Sequence, residues 1–303
     1  LALVGLFAVG VYNGLVRLRN LYKNAFGNKV IFEEINHDLE VSFTYEWNST
    51  DRYGFVRKSL LSNAGTSQVK VQFIDGIQNV LPFGIEQALQ NSTSNLVDAY
   101  KKCELESDEG VGIYALSAII SDKAEPSEAL KANVVWSLGL EQPVILLSAR
   151  QLDDFRNGRA LETELDVKAE RGAYFLSADL ELKPEQEQSW IIVANVSQSI
   201  SDVVKIKQDL RDRDALKSSV DRDIKAGTEQ LIALVGASDG LQMTGDRRRN
   251  IRHFANTMFN VMRGVIFDHN YSIDKKDFRA YLDKANHKVY FKKTCGSFLI
   301  MFG

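Results

Sequence analysis

The stretch DLEVSFTYEWNSTDRYGFVRKSLLSN, from Asp38 to Asn63, constrains this chain more than any other. Leu39, Val41, Phe43, Tyr45 and Trp47 alternate with Glu40, Ser42, Thr44 and Glu46. A period of two places all the large apolar groups on one face of a strand. Asn48, Ser49, Thr50 and Asp51 follow, residues whose side chains hydrogen-bond their own backbone in turns, and Tyr53 to Leu61 then reads as a second strand. After a further turn at Asn63-Ala64-Gly65-Thr66, Val69, Val71 and Phe73 alternate again, which predicts a meander of at least three antiparallel strands. A sheet with one dry face needs a second layer to bury it.

The rest of the chain supplies that layer. Lys29 to Ile35 reads as a strand feeding the main hairpin, and Val111–Ile120, Leu130–Leu138, Val144–Leu147, Ala173–Leu180 and Trp190–Val196 are short, β-branched or aromatic segments separated by turn residues. Few helices lie between them, so a two-sheet antiparallel sandwich is expected over about residues 29–197 rather than a parallel βαβ sheet. Its expected core is Phe43, Tyr45, Trp47, Val71, Phe73, Trp136, Tyr174, Leu176, Trp190 and Ile192. Ile191 and Val193 fall opposite Trp190 and Ile192, which places that strand centrally with something covering its outer face. Between strands, Asp75 to Gly84 reads as a loop and Ile85 to Tyr100 as loosely helical, an arrangement that serves either as the rim of a site or as a plain crossover.

From Ser199 the period changes. Val203, Ile206, Leu210, Leu216, Val220, Ile224, Leu231 and Val235 recur every three or four residues, the stripe of amphipathic helices. A third helix is expected after Thr244 as N-cap, with Ile251, Phe254, Met258, Met262 and Ile266 as its stripe. Arg247, Arg248, Arg249 and Arg252 crowd its start, where the helix dipole favours acids, so a carboxylate partner, a bound anion or plain solvation has to offset them. The expected division is a β-sandwich domain over residues 1–198, a helical linker over 199–243 and the start of a helical domain over 244–303.

Charge and motifs narrow the function. The formal net charge is −3, and no basic stripe is interleaved with exposed aromatics, so nucleic acid is not an expected partner. The apolar opening LALVGLFAVGVY is too short to span a bilayer, and no membrane partner is expected. Cys103 and Cys295 lack metal-ligand spacing and fit a reducing, cytoplasmic compartment. The run from Asp268 to Arg279 imitates a calcium loop but has Ile273 where glycine is needed and Arg279 where a bidentate glutamate belongs, so no metal is expected. No HExxH, GxSxG or phosphate-binding glycine motif occurs, and neither Glu33-Glu34 nor Asp153-Asp154 can act as an acid/base couple, because adjacent carboxylates point apart. The catalytic constellation cannot be closed within these residues. Arg263, Asp268, Asn270 and Tyr271 cluster where the last apolar stripe gives out.

Several stretches, NLYKNAFGNKVIFEEINHDLEVSFTYEW, YGFVRKSLLSN, FIDGIQNVLPFGI, SNLVDAYKKCEL, DKAEPSEALKA and HFANTMFNVMRGVIFDHNYSIDKKDF, resemble segments of large bacterial proteins of the cellobiose phosphorylase-like glycoside phosphorylase (glycosyltransferase 36-like) family. The resemblance runs from about residue 10 to 288. It implies a galactose-mutarotase-like supersandwich, a helical linker and the first helix of a truncated (α/α)6 barrel. At the open end of such a barrel Arg263, Asp268, Asn270 and Tyr271 form the candidate substrate-binding set, Tyr271 to stack on a sugar ring and Arg263 and Asp268 to bond hydroxyls; the alternative is that Arg263 and Asp268 pair with each other or cap the helix end. It also implies an oligosaccharide substrate, inorganic phosphate as co-substrate with no other cofactor, inversion at the anomeric carbon, and a catalytic acid beyond Gly303; it leaves room for a homodimer. After Asn286 the tail KVYFKKTCGSFLIMFG departs from an amphipathic helix. A different class of protein stays open beside the enzyme: a non-catalytic sandwich that binds carbohydrate or acts as a scaffold.

Overall fold

A computed structural model describes residues 19–20, 29–120, 129–266, 272, 274–285, 289–294 and 297–302. The described chain is mostly antiparallel β-sheet followed by helices, a sandwich with an α-helical C-terminal part. It divides into two compact units, one reaching Gly227 and the other running from Thr228 onward.

The first unit holds twelve described strands: β1 (Arg19–Asn20), β2 (Val30–Asn36), β3 (Val41–Thr50), β4 (Gly54–Asn63), β5 (Val69–Val80), β6 (Lys101–Glu106), β7 (Val111–Leu116), β8 (Ala132–Leu138), β9 (Val144–Leu146), β10 (Asp166–Lys168), β11 (Gly172–Leu182) and β12 (Glu187–Gln198). Nine form one sheet in the order β1-β2-β3-β4-β12-β8-β7-β6-β10, and the other three form a small sheet, β5-β11-β9. The expected β3-β4-β5 meander is therefore corrected: β4 pairs with β3 and β12, and β5 crosses to the second sheet. Asn63 makes the corner. Its amide nitrogen donates to the carbonyls of Ser67, Leu182 and Lys183 at 2.8, 3.0 and 3.1 Å, while its oxygen accepts from Gly65 N at 2.9 Å.

Between the sheets lies a core of Phe43, Phe73, Tyr114, Tyr174, Leu176, Trp190 and Ile192 with smaller apolar neighbours. The Trp190 ring stacks on Phe73 and Phe43 at 4.7 and 5.8 Å. Tyr45 and Trp47 are half-buried, since three strands cannot cover the inner face of nine. Leu39 does not continue the stripe but lies in a turn, where Asn36 Oδ1 accepts from the amides of Asp38 and Leu39.

Trp136 is fully buried on the other side of the large sheet, a correction to the expected single core. With Tyr53, Val56, Val134, Ile191 and Val193 it packs against Leu210, Leu216, Val220 and Ile224. Leu210 follows α4 (Ile200–Asp209), whose Val203 and Ile206 join the cluster, and the other three lie on α5 (Arg213–Asp239), so β12 is central and its outer face is covered by helices. Helix α4 starts with a capping box between Ser199 and Asp202. The small sheet has its own outer cover, a short helix (Leu152–Arg156) whose Leu152 and Phe155 pack on Ile74, Leu146 and Phe175.

The segment expected as a loop after Phe73 is largely strand. Gly76 lies within β5 because an added Cβ would stand 2.1 Å from Tyr174 O; the glycine marks close backbone approach rather than a turn. Two short helices follow, Gln87–Ser92 and Ser94–Tyr100.

In the second unit, a helix spans Arg247–Met262 and another Lys275–Ala285, followed by a paired hairpin of Val289–Thr294 with Ser297–Phe302. The N-cap is Asp246 rather than Thr244, with its carboxylate accepting from the amides of Arg248 and Arg249 at 3.0 and 3.4 Å. A charged cap meets both the unpaired amides and the arginine charge at that end. Phe254 is buried, whereas Phe259, Met262 and Val265 are exposed.

Candidate ligand cavity

A charged cluster spans the two sheets. Arg57 and Ser59 on β4 face Asp75 on β5: Arg57 Nη1 pairs with both Asp75 oxygens, Ser59 Oγ donates to Oδ2 at 3.0 Å, and Trp190 Nε1 donates to the same oxygen at 2.8 Å. Arg57 and Asp75 are both buried, and the guanidinium lies 4.2 Å from the centre of the Tyr45 ring. Glu34 is buried beside them. Its desolvation raises the carboxyl above its ordinary value, an effect that Arg57 opposes and Asp75 reinforces. A buried pair of this kind fixes how the sheets align more than it adds net stability.

A cavity of about 1030 Å³ opens in the first unit at the start of β9. Pro143 precedes β9, which pairs with β11 only from Phe175 to Ser177, so Ala178 and Asp179 continue past it along the cavity wall. The other walls are the turn 107–110, the loop 140–145 and Arg213 at the start of α5. Tyr174 fixes the back: its hydroxyl donates to Gly110 O at 2.7 Å and lies 3.2 Å from Ser137 Oγ, and burial holds it well above the ordinary phenol range. Asp108, Glu109, Glu141 and Asp179 line the space against Arg213. Glu109 also sits 3.4 Å from Lys207 Nζ. Such a lining accepts hydrogen bonds from hydroxyl or ammonium groups and repels a phosphate.

Of the residues selected from sequence, Arg263 is exposed at the C-cap of the Arg247–Met262 helix, with its guanidinium 5.2 Å from the Phe259 ring centre. Asp268, Asn270 and Tyr271 lie outside the described residues. The cavity residues carried no sequence signal beyond isolated charges in turns, because a wall drawn from separate loops has no period. Among the described residues no group of His, Cys, Asp and Glu has the arrangement to hold a metal ion. Cys103 is buried, and desolvation pushes its thiol up to about 12, leaving it a core residue. No described helix is long and apolar enough to cross a membrane.

Comparison with known proteins gives one family match, glycoside hydrolase family 149 insertion domain 1, over residues 267–296. No protein of curated function matches the sequence. Among solved structures, one titled "Putative kojibiose phosphorylase from human microbiome" overlays 76% of this chain on 26% of its own, at 9% identity and a TM-score of 0.38. A 4-alpha-glucanotransferase from Thermococcus litoralis overlays 59% of this chain on 22% of its own, at 13% identity and a TM-score of 0.21. This chain thus spans about a quarter of the length of each of these proteins.

Proposed function

We propose that this chain is the sandwich-bearing part of a carbohydrate-active enzyme, an inverting glycoside phosphorylase or related glycosidase acting on β-linked glucosides in the cytoplasm. The observation that carries the reading is the match of residues 267–296 to an insertion domain of a glycoside hydrolase family. The resemblance of the sandwich segments to cellobiose phosphorylase-like proteins points the same way. In this reading an oligosaccharide is the substrate, inorganic phosphate the co-substrate, and the catalytic acid lies outside these residues. Arg263, Asp268, Asn270 and Tyr271 are the proposed substrate contacts, and the three domains follow the proposed boundaries at residues 198 and 243. The acidic lining of the cavity beside β9 suits sugar hydroxyls.

The test is product analysis on the longer polypeptide that contains this chain, incubated with cellobiose and laminaribiose with and without inorganic phosphate. Phosphate-dependent release of glucose 1-phosphate supports phosphorolysis, and glucose release without phosphate supports the glycosidase. No turnover of any β-linked glucoside refutes the enzymatic reading and leaves the alternative, a carbohydrate-binding or scaffolding sandwich, which the open polar cavity in the first unit favours.

A further inference from the structure

Among the described residues, Asn157 is the one asparagine followed by glycine; the other such pair in the chain, Asn13-Gly14, lies outside them. Asn157 and Gly158 are both exposed and end the helix Leu152–Arg156, Asn157 as its C-cap and Gly158 in the left-handed region at φ 67°. A Cβ added at Gly158 would meet nothing within 4 Å, so open space surrounds the junction. Because glycine has no Cβ, its amide nitrogen can swing onto the preceding side chain at little steric cost.

Two hydrogen bonds hold the pair in the folded turn. Asn157 Nδ2 donates to Asp153 O at 2.7 Å, and Gly158 N donates to Phe155 O at 3.0 Å. Closing a ring between Gly158 N and Asn157 Cγ needs both bonds broken. The helix has five residues, too few to hold itself, and Leu152 and Phe155 are its buried anchors, so its exposed C-terminal end opens at low free-energy cost.

We propose that Asn157 is a site of spontaneous deamidation, gated by opening of this helix end. Gly158 N gives its proton to water and attacks Asn157 Cγ; the new C–N bond closes a succinimide ring, and Nδ2 takes up a proton and leaves as ammonia. Water then adds to either ring carbonyl and breaks its bond to nitrogen, leaving aspartate or isoaspartate at position 157. The net change is amide plus water to carboxylic acid plus ammonia, and it needs no co-reactant but water. The product cannot rebuild the turn as it was. A carboxylate has no proton to donate to Asp153 O, and a negative charge at a helix C-terminus close to Asp153 and Asp154 is unfavourable. The helix that covers Ile74, Leu146 and Phe175 is thereby loosened, and Ala160 and Leu161, which follow it, line the cavity at the start of β9. This chemistry is independent of the proposed catalysis.

The test is ageing of the 303-residue chain in neutral buffer, with peptide mapping by mass spectrometry that separates aspartate from isoaspartate, beside a synthetic peptide of residues 150–165. Conversion at Asn157 is expected ahead of every other described asparagine, including the exposed Asn91, whose next residue is Ser92, and severalfold slower in the chain than in the peptide. Asn157→Asp, which carries the product charge from the start, is expected to lower the melting temperature by about 2 °C and to speed hydrogen exchange at the Asn157 and Gly158 amides. Asn157 left intact once the peptide has fully converted, faster conversion at another described asparagine, equal rates in chain and peptide, or an Asn157→Asp variant with unchanged melting and exchange would overturn the proposal.

Discussion

Asp75 concentrates more of the sandwich's polar order than any neighbouring residue: Arg57, Ser59 and Trp190 all direct donors at its carboxylate. Replacing it by alanine leaves the Arg57 charge buried without its partner, and the expected loss is about 3–5 kcal/mol in urea unfolding. A loss below about 1 kcal/mol would mean that water reaches the guanidinium readily. Glu34 works in the opposite sense. Desolvation raises its folded-state pKa above the ordinary 4.5, so the folded chain holds the proton more tightly than the unfolded one. Its contribution is fully present below about pH 4.5 and is lost as pH rises through the folded value. Glu34→Gln is therefore expected to raise the melting temperature at pH 7, with the gain shrinking toward pH 4; a gain that grows on acidification would contradict this. Neither effect was legible in the sequence. Arg57 and Asp75 are eighteen positions apart on strands of different sheets, and alternation reports which face a side chain takes, not which charge meets it.

At the scale of elements, strand existence was legible and strand partnership was not. The stripes of β3 and β5 follow directly from alternating apolar residues, β11 and β12 from short apolar runs, and the two-sided apolar character of β12 correctly implied a covered outer face. The corner at Asn63 escaped because a turn and a sheet-to-sheet crossover use the same residues; the hydrogen bonds of the Asn63 side chain to Leu182 and Lys183 distinguish them. Trp136 was assigned to the wrong core for a related reason, since a strand buried on both faces gives no sign of which layer takes which ring. The cap of the Arg247–Met262 helix moved from Thr244 to Asp246, where a full negative charge meets two amides and the arginine-rich first turn. Asp246→Ala should cost about 1 kcal/mol of local helix stability, seen as roughly fivefold faster hydrogen exchange at the Arg248 and Arg249 amides. Unchanged exchange would show that Thr244, which bonds Asn250 Oδ1 at 2.9 Å, holds that end.

For the whole molecule, the first unit is built in layers: the small sheet with its short helix, the inter-sheet core, the nine-stranded sheet, and helices on the outer face. The cavity beside β9 lies in this unit, where the pairing of β9 with β11 stops, and Asp108, Glu109, Glu141 and Asp179 line it. The candidate residues after the Arg247–Met262 helix fall in the segment matched to the glycoside hydrolase insertion domain, and only Arg263, just before it, is described. The function proposed above makes this chain part of a carbohydrate-active enzyme whose catalytic acid lies outside these residues. The most direct measurement compares the 303-residue chain, shown to be folded by circular dichroism, with the longer protein on cellobiose and laminaribiose in phosphate buffer. Turnover by the longer protein and none above background by the 303-residue chain is expected; phosphate-dependent turnover by the 303-residue chain would overturn the proposed role.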